Sequence, residues 1–315
     1  LIHISEPKSV VDLGNRLADL VGRIRQEEQR VLAELSAVVA EQVDGLFALI
    51  AVLLHLDLAL ARGRYGQWLG AVPPQLEAAS DAPFTLQNLR HPLLVWQERR
   101  EQGSAVVPVS VDVSASLRVV AITGPNTGGK TVTLKSLGLA ALMARAGLWL
   151  PCSGHPTLPW CAQVLADIGD EQSLQQSLST FSGHVKRIGR ILEAIGSGPA
   201  PALVLLDEVG AGTDPSEGSA LATALLRVLA DRARLTVATT HFGELKALKY
   251  SDSRFENASV AFDSETLSPT YHLLWGIPGR SNALAIATRL GLDAGVIDQA
   301  RSLLSPRGDG EANLS

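Results

Sequence analysis

Eight consecutive residues carry the strongest chemical signal in the chain. Gly124-Pro125-Asn126-Thr127-Gly128-Gly129-Lys130-Thr131 fits the spacing G-x-x-x-x-G-K-[ST]. The run follows a β-branched apolar stretch at 117–123 and opens a helical pattern, so it has the strand–loop–helix setting that such a loop needs. Backbone N–H groups in a loop of this kind can wrap phosphate oxygens, and the N-terminus of the following helix adds partial positive charge. Glycine is required because a Cβ would block the approach of the phosphates. Lys130 would reach the β- and γ-phosphates, and the Thr131 hydroxyl would ligate Mg²⁺. Residues 124–132, with Val132 as the next helical position, form the expected nucleotide-binding run.

Such a loop needs acidic groups on an adjacent strand. Leu203-Val-Leu-Leu-Asp207-Glu208 offers a buried strand of four apolar residues with two carboxylates at its end, the edge at which open α/β sheets bind ligands. Asp207 would hold Mg²⁺, directly or through water, and Glu208 would polarise an attacking water as general base. Thr239-Thr240-His241 closes the next strand, where the imidazole could hydrogen-bond the γ-phosphate and the water. Between these lies Gly210-Ala-Gly-Thr213-Asp214-Pro-Ser-Glu-Gly218, a loop opening a helix and suited to communication across a subunit interface. Ser177-Leu-Ser179-Thr180-Phe181-Ser182-Gly183-His184 precedes another helix, and hydroxyls at a helix start suit a γ-phosphate.

The elements that must position these residues follow from periodicity. Short β-branched runs at 117–123, 202–206 and 235–240 read as buried strands, and helical patterns at 131–146, 178–195 and 216–230 lie between them. Alternating strand and helix predicts an α/β fold, a mostly parallel sheet with helices on both faces. Ahead of it, apolar residues recur at helical spacing from Val10 to Val38, and a second helical run spans 43–62. Pro73-Pro74 and Asp81-Ala82-Pro83 mark a boundary. The expected organisation is a smaller helical segment at 1–75, an ATPase domain at 76–305 and a polar tail at 306–315.

Composition bounds the rest. The 315 residues carry 27 Lys and Arg against 32 Asp and Glu, a net charge of −5, so no basic field coats the chain and nucleic-acid contact must be local. Two cysteines are too few for a disulfide scaffold and fit a reducing compartment, so a cytoplasmic location is expected. The apolar stretch 46–61, broken by His55 and Asp57, is expected to fall short of a membrane span. Because the chain starts at Leu1 and stops in a polar run, a piece of a longer protein is expected. Cys152, His155 and Cys161 lack a fourth partner for zinc. The basic strip Lys186, Arg187 and Arg190 reads as a solvated helix face or a contact to partner-bound phosphate. Arg62, Arg64, Arg99 and Arg100 read as surface charge, with nucleic acid as the alternative.

Taken together, the phosphate loop, acid pair and histidine resemble the ATP-binding-cassette class of P-loop ATPases, although the Leu-Ser-Gly-Gly-Gln signature is absent. Arg90-His91-Pro92, the 123–131 loop, Ser179-Thr180-Phe181-Ser182, Asp207-Glu208-Val-Gly-Ala-Gly-Thr213 and Thr240-His241-Phe242 stand in the order of the MutS family, which the chain resembles. Ile168-Gly169-Asp170-Glu171-Gln172-Ser173, the 210–218 loop and Gly276-Ile-Pro-Gly-Arg-Ser281 are similar to its bacterial second branch, MutS-two. The resemblance implies ATP hydrolysis with Mg²⁺, a homodimer in which Thr180 and Ser182 act on the neighbour's nucleotide, and a helical core or lever before the ATPase. It further implies binding to branched or structured DNA, suppression of homologous recombination, and a nuclease (Smr) domain beyond residue 315. Rescue of collided ribosomes is the alternative partner reading, and no membrane role is implied. Family members in mismatch repair place an aromatic residue near the adenine after the Arg-His-Pro triplet. Here that stretch reads Val106-Val107-Pro108, so either Val107 packs on the ring or Tyr271 stacks on it, with plain strand filler as the other reading of Tyr271.

Overall fold

The computed structural model describes residues 8–101, 105–124, 129–169, 177–263, 268–279, 283–289 and 291–304. The chain divides into two compact units, Leu1–Ala61 and Arg62–Ser315. Two helices open it, α1 (Lys8–Glu41) and α2 (Val43–Leu69). Leu13, Leu17, Leu20 and Ile24 on α1, and Phe47, Leu53 and Leu54 on α2, are exposed. The second helix runs a full two turns past the expected end and reaches 27 residues. By length and composition alone it is long and apolar enough to cross a membrane. The expectation that this stretch falls short is therefore corrected: His55 and Asp57 dilute the run without ending the helix.

The second unit is built on two sheets. β1 (Gln75–Glu77), β2 (Phe84–Leu89), α3 (Pro92–Glu101) and β3 (Val109–Val113) lead into β4 (Val119–Thr123) and α4 (Lys130–Arg145). β5 (Ser153–Pro159), β6 (Gln163–Asp167), α5 (Ser177–Ser197), β7 (Ala202–Leu206), α6 (Pro215–Arg232) and β8 (Leu235–Thr239) follow. A 3-10 turn (Glu244–Ala247), α7 (Leu248–Ser251), β9 (Phe255–Asp263), β10 (Ser268–Trp275), α8 (Ala283–Arg289) and α9 (Ala294–Leu304) end the described chain. The larger sheet has the order β10-β9-β4-β8-β7-β6 and is parallel except for β10. The smaller, β1-β5-β2-β3, is mainly antiparallel.

Alternation along the central strands sends side chains to opposite faces. Val120, Ile122, Leu203, Leu205, Leu235 and Val237 join one core with Leu134 and Leu137 of α4 and with Phe84, Leu86 and Val111 of the smaller sheet. Val119, Val204, Leu206 and Ala238 join a second core with Ile191 of α5 and Leu226 and Leu229 of α6. Every residue of β4, β7 and β8 is buried, as strands covered on both faces must be. The expected α/β layering with a mostly parallel sheet is thus present, and it is joined by the smaller sheet, which the periodicity did not reveal. Buried Arg234 ties the layers, donating to the carbonyls of Ala82, Leu117 and Ser114. The Trp275 indole N–H donates to Ser110 O at 2.9 Å.

Candidate nucleotide site

Parallel strands release their C-terminal ends at one edge, so β4, β7 and β8 deliver residues 123–131, 207–208 and 239–241 to a common place. The acid-bearing strand is not adjacent to the loop-bearing strand, as the sequence reading assumed; β8 lies between them. Pro125, Asn126, Thr127 and Gly128 lie outside the described residues. Gly124 follows β4 directly, and Gly129 caps α4 with φ +88°, a conformation that L side chains rarely adopt. A Cβ on Gly129 would also meet the Tyr271 ring at 3.0 Å.

Lys130, the first residue of α4, is 3% exposed, and its ammonium donates to Gly124 O at 2.7 Å. Burial lowers its pKa, while the charges of Glu208 and Asp207 push the other way and favour the protonated form. The Thr131 hydroxyl donates to Asp207 Oδ2 at 2.7 Å. Asp207 Oδ1 accepts from the Thr239 hydroxyl at 2.5 Å, and the Glu208 N–H donates to that same hydroxyl oxygen at 2.8 Å. Glu208 itself sits at φ +50°, a strained conformation for a residue with a Cβ and one that clusters at functional sites. His241 is exposed just beyond β8, its ring 4.5 Å from that of Phe242. Val132 points partly to solvent on α4.

Tyr271 stands at a bulge in β10 with φ +61°, is 46% exposed and rests on Gly129. The regular pairing of β9 and β10 is interrupted there, between Pro269 and Leu273. Val107 is half-buried in the segment before β3.

The 210–218 loop closes on itself. Added Cβ atoms on Gly210 and Gly218 would lie 2.5 Å and 2.4 Å from each other's carbonyl oxygens, so only glycine allows this approach. Asp214 caps α6, accepting from the Ser216 and Glu217 amides at 2.9 Å and 3.2 Å. Gly212 packs on Phe181 of α5. Thr180 belongs to that helix but its side chain lies outside the described set, and Ser182 is exposed one turn in.

Sequence reasoning missed an anchor for this helix. Asp167, at the end of β6 and nearly fully buried, accepts from His184 Nδ1 at 2.6 Å and from Arg187 Nε. Arg187 is thus a half-exposed member of the basic strip that also pairs with a buried carboxylate, while Lys186 and Arg190 are exposed on the helix face. Arg99 is exposed, as a surface charge, and lies over the Trp68 ring while donating to the Trp68 carbonyl. No spacing rule links Asp167 to residues 17 and 20 positions later, which is why only the fold reveals them. Cys152 and Cys161 are buried and free, and burial pushes their thiols up to about 11 and about 12.

The donor set fits a magnesium nucleotide. A hydroxyl and a carboxylate paired at 2.7 Å are hard oxygen ligands of the kind Mg²⁺ takes beside phosphates. A buried ammonium stands next to them, at the start of a helix.

Residues 120–306 match the family described as MutS domain V. Endonuclease MutS2 of Synechocystis sp. is 60% identical over 315 aligned positions, covering 95% of this chain and 38% of that protein. The Symbiobacterium thermophilum and Pelotomaculum thermopropionicum proteins of the same name are 48% and 50% identical, each over 95% of this chain and 36% and 37% of theirs. The chain thus spans less than two fifths of the length of these relatives. With more than half of its residues matched by that domain, the chain belongs to the MutS family, in its MutS2 branch.

Proposed function

We propose that this chain binds ATP with Mg²⁺ and hydrolyses it. The observation that carries the reading is the meeting of buried Lys130, the Thr131–Asp207 pair and Glu208 at one sheet edge. Residues 124–132 hold the phosphates, Thr131 and Asp207 hold the metal, and Lys130 leaves Gly124 O for the phosphate oxygens. Mg²⁺ supplies neutralisation of phosphate charge when bound. Glu208 accepts the proton of the attacking water, and His241 hydrogen-bonds the terminal phosphate from the end of β8. Tyr271 stacks on the adenine; its contact with Gly129 sets the ring beside the phosphate loop.

The same reading extends to assembly. Two copies pair so that Thr180 and Ser182 of one act at the nucleotide of the other, and the packing of Gly212 on Phe181 joins the 210–218 loop to the first turns of α5 that carry these hydroxyls. Residues 1–75 serve as a helical core or lever, and 76–305 as the ATPase. We read α2 as a packed helix of that lever in a cytoplasmic protein, since His55, Asp57, Arg62 and Arg64 punctuate it. The biological target is branched or structured DNA, with suppression of homologous recombination as the outcome. The nuclease activity in the relatives' name is assigned to the remainder of those longer proteins. Phosphate release by the purified protein, measured with and without Mg²⁺ and four-way DNA, tests this: Mg²⁺-dependent release raised by DNA is expected, and no release under any condition would refute it.

A further inference from the structure

We propose that Thr239 is a positioning residue for hydrolysis, its buried hydroxyl setting the Glu208 backbone and the Asp207 carboxylate together. The inference rests on the reading of Glu208 as the water-activating group and Asp207 as a metal ligand. Because β8 runs between β4 and β7, its last residue stands between the C-terminal ends of those two strands, beside the acid pair. Thr239 is 0% exposed. Its Oγ1 donates to Asp207 Oδ1 at 2.5 Å and accepts the Glu208 N–H at 2.8 Å, and its carbonyl accepts the Val209 N–H at 3.0 Å. One residue therefore holds three consecutive residues of the neighbouring strand end.

The sense of the bonds is fixed. An amide can only donate, so the hydroxyl oxygen must accept from Glu208 and its single proton must go to the carboxylate. Glu208 is kept at φ +50°, a region that residues with a Cβ seldom occupy. Released from Thr239, it would relax toward an ordinary φ and carry its carboxylate away from the water. Asp207 is held at both oxygens, by Thr239 on Oδ1 and by Thr131 on Oδ2. When Thr131 turns to the metal, the Thr239 bond keeps the Asp207 carboxylate in its plane.

Thr239→Val keeps the branched shape and deletes the hydroxyl. We expect kcat for phosphate release to fall roughly tenfold to a hundredfold, as small misplacements of catalytic groups do, while the KM for ATP stays within about twofold. The Mg²⁺ concentration that half-saturates binding of a fluorescent ATP analogue should rise, and Thr239→Ser should restore both rate and Mg²⁺ dependence. Wild-type kcat and Mg²⁺ dependence in Thr239→Val would overturn the inference. So would a loss of ATP affinity in step with rate that Ser leaves uncorrected, the mark of a merely structural role. Thr239→Ala, which removes the same hydroxyl from a smaller side chain, is read in the same way if Val does not fold. Glu208→Gln is measured alongside. Normal turnover there defeats the reading of Glu208, whereas loss of turnover there with normal Thr239→Val defeats the positioning inference alone.

Discussion

Apolar residues are abundant in both units of this chain, yet they do different work in each. Leu17 and Phe47 in the helices of the first unit are 64% and 67% exposed, whereas Leu134 and Leu205 in the second are 0% and 2% exposed. The second unit also gathers the buried charges, with Lys130, Asp167, Asp207 and Arg234 all under a tenth exposed. A helical apolar pattern specifies which residues prefer to leave water; what covers them is a property of the partner surface. In the second unit the partner is a sheet that also delivers Lys130, Asp207 and Glu208 to the edge of the candidate site. Core packing and the proposed chemistry therefore share one sheet in that unit.

Four outcomes would sharpen or break that contrast. Glu208→Gln should lower phosphate release roughly a hundredfold or more, the usual share of a general base, while ATP still binds. Unchanged release would remove the chemistry from this edge. Next in size, Leu134→Ala should cost about 2–5 kcal/mol in chemical denaturation, and Leu17→Ala should fall within about 0.5 kcal/mol. Equal losses would show that both regions bury their apolar residues alike.

The buried thiols give a pH signature confined to the second unit. Unfolded thiols ionise near 9.0, but Cys152 and Cys161 in the fold hold their protons up to about 11 and about 12. Proton loss thus favours the unfolded chain, so this stability is complete below pH 9 and is lost as pH rises toward 11–12. Replacing both cysteines by alanine should flatten the fall of melting temperature over that window, and an unchanged fall would refute it. The smallest effect is expected at Tyr271. Tyr271→Ala should weaken ATP binding by a few-fold, about 1 kcal/mol of stacking, and reduce preference for adenine over other bases. An equal Kd for ATP would return Tyr271 to the role of strand residue.

Much of this architecture is legible in the residues. β7 occupies 202–206 as the apolar run predicts, and α4, α5 and α6 differ from expectation by one or two residues at their ends. Those elements carry strong local signals: buried runs, a phosphate-loop glycine and an Asp-Pro helix start. The smaller sheet was missed because its strands are short and its order, β1-β5-β2-β3, pairs residues up to 82 positions apart, as Gln75 with Thr157. The site divides along the same line. Lys130, Thr131, Asp207 and Glu208 announce themselves by type and spacing, whereas Thr239 and Asp167 act through neighbours that only strand order supplies.

The most direct test of the nucleotide site is titration of the purified protein with a fluorescent ATP analogue in the presence of Mg²⁺, beside the Lys130→Ala variant. Saturable binding by the native chain and a loss of at least about tenfold in the variant are expected, since a buried ammonium on phosphate is a charge-assisted contact. Indistinguishable curves, or no saturation by the native chain, would contradict the assignment of this sheet edge to ATP.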